Sequence, residues 1–330
     1  MPRASFAAAP TPGSCAFSRE GERTLIAFEQ VAKTYRSAFG RRVEAVADVS
    51  FTIAPGEVVG IAGPNGAGKS TLIALMLGLL SPTSGRVTLD GRAPRDFAEW
   101  EGIGYLPELV TLDPAWRADE ALARLGMLAG VPAATLRAQV DDVIGRVGLS
   151  EHRRKRCRQL SKGNLQKVAL AQSLLADRQV YVFDEPTHGL DPVWTLQFRK
   201  IIAELRRPDR AMLVASHNLD ELERISDRVV IIDHGRIQRI VDLKARVASV
   251  EVSTYRVRAV AGADALVAEF PGAVETEPGN VLIPALELGA LNRGLARAIA
   301  GGAIIAVVQP VQSALEREFH AAVGGPGGLA

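Results

Sequence analysis

The sequence predicts an α/β protein built on a mostly parallel β-sheet, with a small α+β unit at its C-terminal end. Short apolar strands alternate with helical segments, as in "EVVGIAG", "QVYVFDEP", "AMLVASH" and "RVVIIDHG". A helical stretch from about 96 to 168 interrupts this alternation, and the composition changes after about residue 235. Repeated strand–helix units favour a parallel sheet with helices packed around it.

The bulk composition suits two domains, or one large domain with an appendage. The chain has 330 residues, of which 47% are hydrophobic and 23% charged, so it can bury a substantial core. The net charge of +2 disfavours a dedicated nucleic-acid binder, and no nucleic-acid partner is expected. The two cysteines, Cys15 and Cys157, have neither zinc nor redox spacing, which favours a reducing cytoplasm.

The two ends are predicted to be disordered tails, over 1–23 and 324–330. The first begins "MPRASFAAAPTPGSC", which lacks the apolar segment of a secretory signal, and the second is "GGPGGLA". No apolar run approaches the roughly 18–20 residues that span a bilayer. The chain is therefore not expected to cross a membrane by itself.

The elements between the tails follow from local pattern. Residues 24–62 alternate as strands, "GKSTLIALMLGLLSP" is a helix closed by Ser81 and Pro82, and "GRVTLDG" is a short strand before a turn. Segments such as "DEALARLGMLAG" form the helical insert, and strands with helices then return up to about 236. Residues 237–323 are predicted to form the separate α+β extension.

A phosphate-binding loop joins the strand "VVGIA" to this helix. Its glycines let backbone N–H groups surround phosphate oxygens, and the helix N-terminus adds positive potential. The lysine supplies a point charge to the terminal phosphates, and the following serine hydroxyl suits Mg²⁺. The predicted nucleotide-binding residues of this loop are Gly63, Pro64, Asn65, Gly66, Ala67, Gly68, Lys69, Ser70 and Thr71.

Three further side chains stand at strand ends and complete a hydrolytic site. Asp184 closes an apolar strand and would orient Mg²⁺. A neighbouring carboxylate, Glu185, would repel bound phosphate but is well placed to activate an attacking water. His217, at the end of the next apolar strand, would donate a hydrogen bond to the γ-phosphate. The sequence thus predicts binding and hydrolysis of a nucleoside triphosphate.

Taken in order, these motifs resemble the ATP-binding subunits of ABC transporters over about 25–235, and the departures point to the ABC-2 exporter type. The resemblance implies a P-loop NTPase, RecA-like core with an antiparallel β-subdomain and an inserted helical subdomain, using ATP and Mg²⁺. It implies that Tyr35 stacks on adenine, although an ordinary exposed strand tyrosine is the alternative. "IGYLPELV" is the Q-loop, where Glu108 replaces the usual glutamine and remains a candidate ligand of Mg²⁺.

The segment "LSKGN" occupies the place of the family's signature loop, usually LSGGQ. The resemblance implies that this loop, with Asp191 of the D-loop "HGLDP", contacts ATP held by an opposite subunit; His188 is either an interface residue or a surface histidine. Lys162 replaces the usual first glycine and Asn164 the glutamine; similar LSKG forms occur among ATPases paired with ABC-2-type exporters. The predicted residues of the loop are Ser161, Lys162, Gly163 and Asn164.

The implied function is that of an ATPase subunit powering an exporter through an ATP-sandwich dimer. The dimer is a homodimer or a heterodimer with a paralogue, bound to a separately encoded membrane permease. The subunit would be cytoplasmic, on the inner face of the cell membrane. A soluble ABC ATPase regulating a non-transport process is the alternative, and the cargo is not encoded in these motifs.

Overall fold

The computed structural model describes residues 23–36, 42–244, 252–311 and 313–323. The predicted tails lie outside this range except for Arg23, whose guanidinium lies 2.9 Å from Asp90 Oδ1. In the part of the chain that is described, no helix combines the length and the apolar character needed to span a bilayer.

A six-stranded sheet forms the centre of the molecule, in the order β5-β6-β7-β3-β8-β9. All neighbours pair in parallel except β8 and β9, which are antiparallel. Every residue of β3, β6 and β7 is buried, because helices cover both faces. The strands are β3 (Val58–Ala62), β5 (Gly104–Leu106), β6 (Val180–Asp184), β7 (Ala211–Ala215), β8 (Arg228–Asp233) and β9 (Arg236–Asp242).

The helices against this sheet are α1 (Lys69–Met76), α6 (Pro192–Leu205) and α7 (Leu219–Ile225). Helix α1 is shorter than the sequence pattern predicts, since the chain turns at Gly78, which has φ 71°, before it reaches Pro82. A Cβ at Gly78 would lie 2.7 Å from the backbone nitrogen of Arg95, so close backbone approach favours glycine here.

The antiparallel β-subdomain consists of β1 (Ile26–Arg36), β2 (Arg42–Ile53) and β4 (Ser84–Leu89), in the order β2-β1-β4. Its inner face shares one apolar cluster with α1 and the central sheet. Phe28 and Phe51 stack within that cluster with ring centroids 4.5 Å apart. This sharing ties the subdomain to the part of the core that carries α1.

The helical insert contains α3 (Ala118–Leu128), α4 (Ala133–Arg146) and α5 (Lys162–Ser173). The predicted range of 96–168 begins earlier, within α2 (Pro94–Trp100), and includes β5, which pairs with β6 in the central sheet. Buried residues of the three helices, including Leu122, Ile144 and Leu170, belong to the same apolar cluster as Phe183 of the sheet.

The C-terminal unit has a four-stranded antiparallel sheet in the order β11-β12-β10-β13, with its own apolar core around Val257, Leu266 and Leu291. The α+β character predicted for this segment is therefore present. Its elements are β10 (Val252–Ala261), α8 (Ala263–Glu269), β11 (Val274–Glu277), β12 (Asn280–Glu287), α9 (Leu288–Ala300), β13 (Ile304–Pro310) and α10 (Ala314–Val323).

The predicted boundary at residue 236 does not separate two packing units. Strand β9 extends the central sheet to Asp242, and α10 returns to pack on it. Leu315 of α10 is fully buried in the core cluster, its backbone N–H donates to Glu223 Oε1 of α7 at 3.4 Å, and Glu318 pairs with Arg239 of β9. The last helix of the extension is thus part of the first domain's core.

Candidate functional site

The phosphate loop joins the end of β3 to α1, where its backbone is held close to neighbouring strands. A Cβ at Gly63 would lie 2.3 Å from the carbonyl oxygen of Ile232, and one at Gly68 would lie 2.6 Å from that of Ala45. Gly68 also has φ 110°, a conformation that L side chains rarely adopt. Glycine is therefore required at both positions by the fold itself.

Helix α1 begins without a side-chain cap. Its N-cap is Gly68, which has no side chain to accept from the first N–H groups of the helix. Those N–H groups and the helix dipole point toward the loop, which is the arrangement that binds anionic phosphate. Ser70 is exposed at this end, and the sequence prediction of a hydroxyl facing the site is consistent with that exposure.

Lys69 is buried beneath the loop. Its ammonium donates to the carbonyl oxygens of Gly63 at 2.7 Å and Pro64 at 3.2 Å. These hydrogen bonds to backbone carbonyls hold the Lys69 ammonium inside the loop, close to where bound phosphates would lie. The remaining predicted residues of the loop, with Thr71 in the first turn of α1, belong to the same short segment, and Pro64, Asn65 and Gly66 are exposed.

Acidic groups gather beside the loop at the ends of β5 and β6. Burial, with the charges of Glu108 and Glu185, raises the pKa of Asp184 from 3.8 to about 6, while Lys69 opposes the rise. Burial and the charges of Asp184 and Glu108 likewise raise the pKa of Tyr105 to about 12. The predicted Q-loop carboxylate therefore lies close enough to Asp184 to act on it, and the group has an excess of negative charge.

Glu185 and His217 form a hydrogen-bonded pair across the ends of β6 and β7. The carboxylate Oε2 lies 2.7 Å from Nδ1 of His217, and Oε1 accepts from the His217 backbone N–H at 3.1 Å. Glu185 is buried, and its φ of 48° is unusual for a residue with a side chain. Such local strain is typical of functional sites, and here it aims the carboxylate at the histidine.

His188 lies closer to the predicted catalytic residues than its place in the sequence indicates. Its Nδ1 lies 3.3 Å from Nε2 of His217, so Glu185, His217 and His188 form a continuous chain of side chains. The signal in the sequence was a histidine three positions after Glu185, directly beyond a buried strand. Only the turn that follows β6 brings it against the end of β7.

The predicted signature residues start α5. Ser161 is the N-cap, and its Oγ accepts from the backbone N–H of Asn164 at 3.3 Å. A Cβ at Gly163 would lie 3.2 Å from Leu190, and Lys162 Nζ lies 3.8 Å from the Cβ position of Gly189. The signature segment therefore lies beside its own chain's D-loop, while Ser161 and Lys162 are exposed.

The last two predicted site residues are Tyr35 on β1 and Asp191 at the start of α6. Tyr35, near the end of β1, is 39% exposed, and the ammonium of Lys33 lies 5.6 Å from its ring centroid. An exposed ring is available for stacking on a base. Asp191 caps α6 by accepting from the backbone N–H of Trp194 at 2.8 Å, which fixes the end of the D-loop.

Comparison with known proteins agrees with this geometry. Residues 46–188 match the family model described as "ABC transporter". The ABC transporter ATP-binding protein NatA of Bacillus subtilis is 37% identical over 199 residues, covering 59% of this chain and 80% of that protein. Methionine import ATP-binding protein MetN 1 of Pseudomonas putida is 33% identical over 221 residues, covering 64% of this chain and 66% of that protein.

A solved structure described as the ATP-binding subunit of an ABC transporter superposes with a TM-score of 0.61 and 28% identity. The superposition covers 67% of this chain and 91% of that one. The α/β fold of a P-loop NTPase is therefore confirmed, and with it the enzyme class. The chain belongs to the family of ABC transporter ATP-binding proteins and is an ATPase of that family.

Proposed function

We propose that this ATPase hydrolyses ATP with Mg²⁺ held between Ser70, Asp184 and Glu108. The donors fit a small hard cation because they are a hydroxyl and two carboxylates. Burial raises the pKa of Asp184, and the charges of Glu108 and Glu185 add to the rise, so the group also carries an excess of negative charge. A divalent cation would remove that excess. When bound, Mg²⁺ would neutralise phosphate charge, and Lys69 would contact the same phosphates from inside the loop.

The single observation that carries hydrolysis is the pairing of Glu185 with His217. Glu185 is buried beside the phosphate loop and would accept a proton from the attacking water. His217 would orient that carboxylate through Nδ1, and the γ-phosphate would replace His188, whose Nδ1 lies 3.3 Å from Nε2 of His217, as the partner of this second nitrogen. The carboxylate of Glu185 and the ring of His217 would then position the water together, and the unusual backbone conformation of Glu185 would set the direction of its carboxylate.

We further infer that two subunits sandwich ATP between them. Ser161 and Lys162 are exposed at the start of α5, so a helix N-terminus is available to a second molecule. Leu190 of the D-loop lies beside Gly163, 3.2 Å from the position that a Cβ on this glycine would take, so this N-terminus and the D-loop, which carries Asp191, are neighbours. The signature segment and the D-loop would therefore both contact the nucleotide bound by the opposite subunit.

The transport role that we propose is export through a separately encoded permease, on the cytoplasmic face of the membrane. Lys162 and Glu108 support the exporter type, since both substitutions resemble ATPases of ABC-2-type exporters. The related import protein of Pseudomonas putida shows that the family match alone leaves the direction of transport open. Leu109, directly after Glu108, is 79% exposed and offers an apolar contact for a permease beside the ATP site.

The permease can be tested by recovering the tagged chain with membranes from its own cells. Leu109→Glu should reduce membrane recovery while the purified variant keeps its ATPase rate. Val274→Glu is the matched control, because Val274 is also exposed, at 57%, but lies on β11 of the C-terminal sheet. Equal membrane recovery of both variants would argue against permease docking at the Q-loop.

The direction of transport needs the recovered complex. With the permease reconstituted in liposomes and ATP added outside, export predicts that cargo accumulates in the lumen when the ATPase domains face outward. Loss of cargo from preloaded liposomes under the same conditions would indicate import. A fully active ATPase that never enriches with membranes would favour the soluble regulatory alternative.

A further inference from the structure

Three side chains with metal-binding groups meet at the carboxyl ends of β6 and β7. One ligand atom from each of Glu185, His188 and His217 lies within 4.8 Å of the other two. The imidazole rings of His188 and His217 meet edge to face, with centroids 4.8 Å apart. The carboxylate comes from the proposed general base, and His188 has no part in the hydrolysis proposed above.

We propose that Glu185, His188 and His217 form an inhibitory site for a zinc-type transition-metal ion. The proposal rests on the roles assigned above to Glu185 and His217. It adds a ligand class and a form of regulation to that site, through a histidine that the hydrolytic reaction does not require.

The donor set fits zinc. Two imidazoles and one carboxylate, with a fourth position left to water, is a ligand set found in zinc sites. With zinc–nitrogen distances of about 2.0–2.1 Å, ligand atoms in a tetrahedron stand about 3.3–3.4 Å apart. Oε2 of Glu185 lies 2.7 Å from Nδ1 of His217, and one ligand atom of each residue lies within 4.8 Å of the other two, so the three groups stand close to this spacing. A bound ion would take one nitrogen of His217, and side-chain rotation would have to bring the carboxylate and the His188 ring to the tetrahedral spacing around it.

The site is accessible and differs chemically from the proposed Mg²⁺ site. The side chain of His217 is 51% exposed and His188 is exposed, whereas Glu185 is buried beneath them. An ion would enter from solvent and meet the carboxylate below. Imidazole ligands favour zinc over magnesium, which prefers oxygen, so the two ions would select different groups.

Binding there would stop hydrolysis. The ion would take the lone pairs with which Glu185 accepts a proton and would fix the ring of His217 away from the γ-phosphate. Coordination is ligand exchange alone: any proton on a ligating nitrogen leaves to solvent, and nothing is oxidised or reduced. The ion would also join the D-loop, through His188, to the end of β7, which opposes rearrangement at a subunit interface.

The first test is zinc binding by the full chain without nucleotide or Mg²⁺. Calorimetric titration with ZnCl₂ should give one ion per chain. His188→Asn should weaken binding by at least about tenfold, because losing even an outer-shell partner of a metal site costs about 10–100-fold in affinity and His188 would be a direct ligand. His234→Asn is the matched control, because His234 is a surface histidine, 94% exposed, in the turn after β8. Its φ of 47° is tolerated by asparagine.

Titration with Co²⁺ identifies the ligands independently. A tetrahedral visible spectrum without sulfur-to-metal charge-transfer bands would support histidine and carboxylate ligands, and thiolate bands would place the ion on a cysteine and overturn the site. Unchanged zinc binding in His188→Asn, with its melting temperature preserved, or no saturable binding by the wild type, would also overturn it.

The second test is inhibition of hydrolysis at saturating Mg²⁺-ATP, with each variant scaled to its own zinc-free rate. Zinc should inhibit the wild type and the His234→Asn chain at lower concentration than the His188→Asn chain, by about tenfold. A wild type that hydrolyses ATP but binds no zinc refutes only the metal site. A wild type that binds zinc through His188 but never hydrolyses ATP refutes the proposed function and, with it, the inhibitory role, while the metal site itself stands.

Discussion

Helices α1 and α5 both present an N-terminus to a predicted phosphate contact, but they begin in different ways. The N-cap of α1 is Gly68, which leaves the first N–H groups of the helix without a side-chain acceptor. The N-cap of α5 is Ser161, whose Oγ already accepts from the backbone N–H of Asn164. The first N–H groups of α1 are therefore left for a bound anion, whereas one N–H group of α5 is already paired with the side chain of its N-cap residue.

The two termini also differ in how firmly they are held. The loop before α1 is pressed against the carbonyl oxygens of Ile232 and Ala45, and Lys69 is buried beneath it. Ser161 and Lys162 are exposed, and Gly163 contacts only the D-loop side chain of Leu190 among the atoms nearest its Cβ position. The difference teaches that α1 is organised in advance for nucleotide, whereas α5 is suited to a ligand brought by another molecule.

The largest effect should separate the two lysines. Lys69→Ala should abolish ATP hydrolysis and strongly weaken nucleotide binding, because the phosphate charges lose a buried cation that is already in place. Lys162→Ala should change the rate by no more than several-fold, because an exposed lysine is solvated and its charge is screened. Steady-state ATPase assays and nucleotide binding on the two purified variants provide the measurement.

Near-normal turnover by folded Lys69→Ala would remove the phosphate-loop assignment. Equal losses in the two variants would erase the contrast between a prepared and an unprepared helix terminus. Circular dichroism of both variants is the control for folding.

The next largest effect should come from a substitution of the proposed general base, which leaves the N-termini of α1 and α5 unchanged. Glu185→Gln should bind ATP but hydrolyse it at least ~10²-fold more slowly, because the amide cannot accept the proton of water. The trapped ATP state should then accumulate as a dimer, measured by size-exclusion chromatography with ATP and Mg²⁺. A variant that is monomeric under every condition would contradict the use of α5 by a second subunit.

Much of the nucleotide-binding side was predictable from sequence. A phosphate loop needs a strand, glycines and a helix in fixed order, and parallel strands bring their carboxyl ends to one edge of the sheet. Asp184 and Glu185 at the end of β6 and His217 after β7 therefore had to lie near that edge once the strands were identified. The structure confirms that β6 and β7 are neighbours.

The contacts that could not be predicted depend on packing between distant segments. The pairing of His188 with His217 depends on the course of the turn after β6, which no periodicity encodes. The return of α10 to the core depends on how Leu315 fits a surface built by α7 and β9. A change of composition near residue 235 marks a new unit, but it carries no information about which elements pack back.

A smaller effect concerns the acidic group beside α1. The pKa of Asp184 is raised from 3.8 to about 6, so the folded state holds its proton more tightly than the unfolded state. This raised pKa destabilises the nucleotide-free fold above pH 6 and ceases to do so below the unfolded value. Asp184→Asn should therefore stabilise the nucleotide-free chain at pH 8, by about 2–3 kcal/mol on the scale of such shifts.

Thermal unfolding at pH 8 and pH 5 tests this, and the advantage of Asp184→Asn should shrink at pH 5. The same variant should lose Mg²⁺-dependent hydrolysis. Asp184 would then be a residue that lowers the stability of the nucleotide-free chain and is needed for activity beside α1. An advantage that grows as the pH falls would mean that the carboxylate is stabilised in the folded chain and would contradict the crowding of acidic groups.

The smallest effect addresses the cap of α5 and distinguishes its two uses. Ser161→Ala removes the acceptor for the Asn164 N–H and should cost about 0.5–1 kcal/mol of unfolding free energy, the lower part of the range for lost caps, because the site is exposed. Ser161→Asn keeps a good N-cap acceptor, so the free energy of unfolding should stay close to that of the wild type. The larger amide should nevertheless obstruct a phosphate approaching the helix N-terminus.

If α5 serves a second subunit's ATP, both variants should therefore impair ATP-driven dimerisation in the Glu185→Gln background, although only Ser161→Ala is less stable. If the hydroxyl only caps the helix, Ser161→Asn should dimerise normally, and the contrast between α1 and α5 would reduce to a difference in capping.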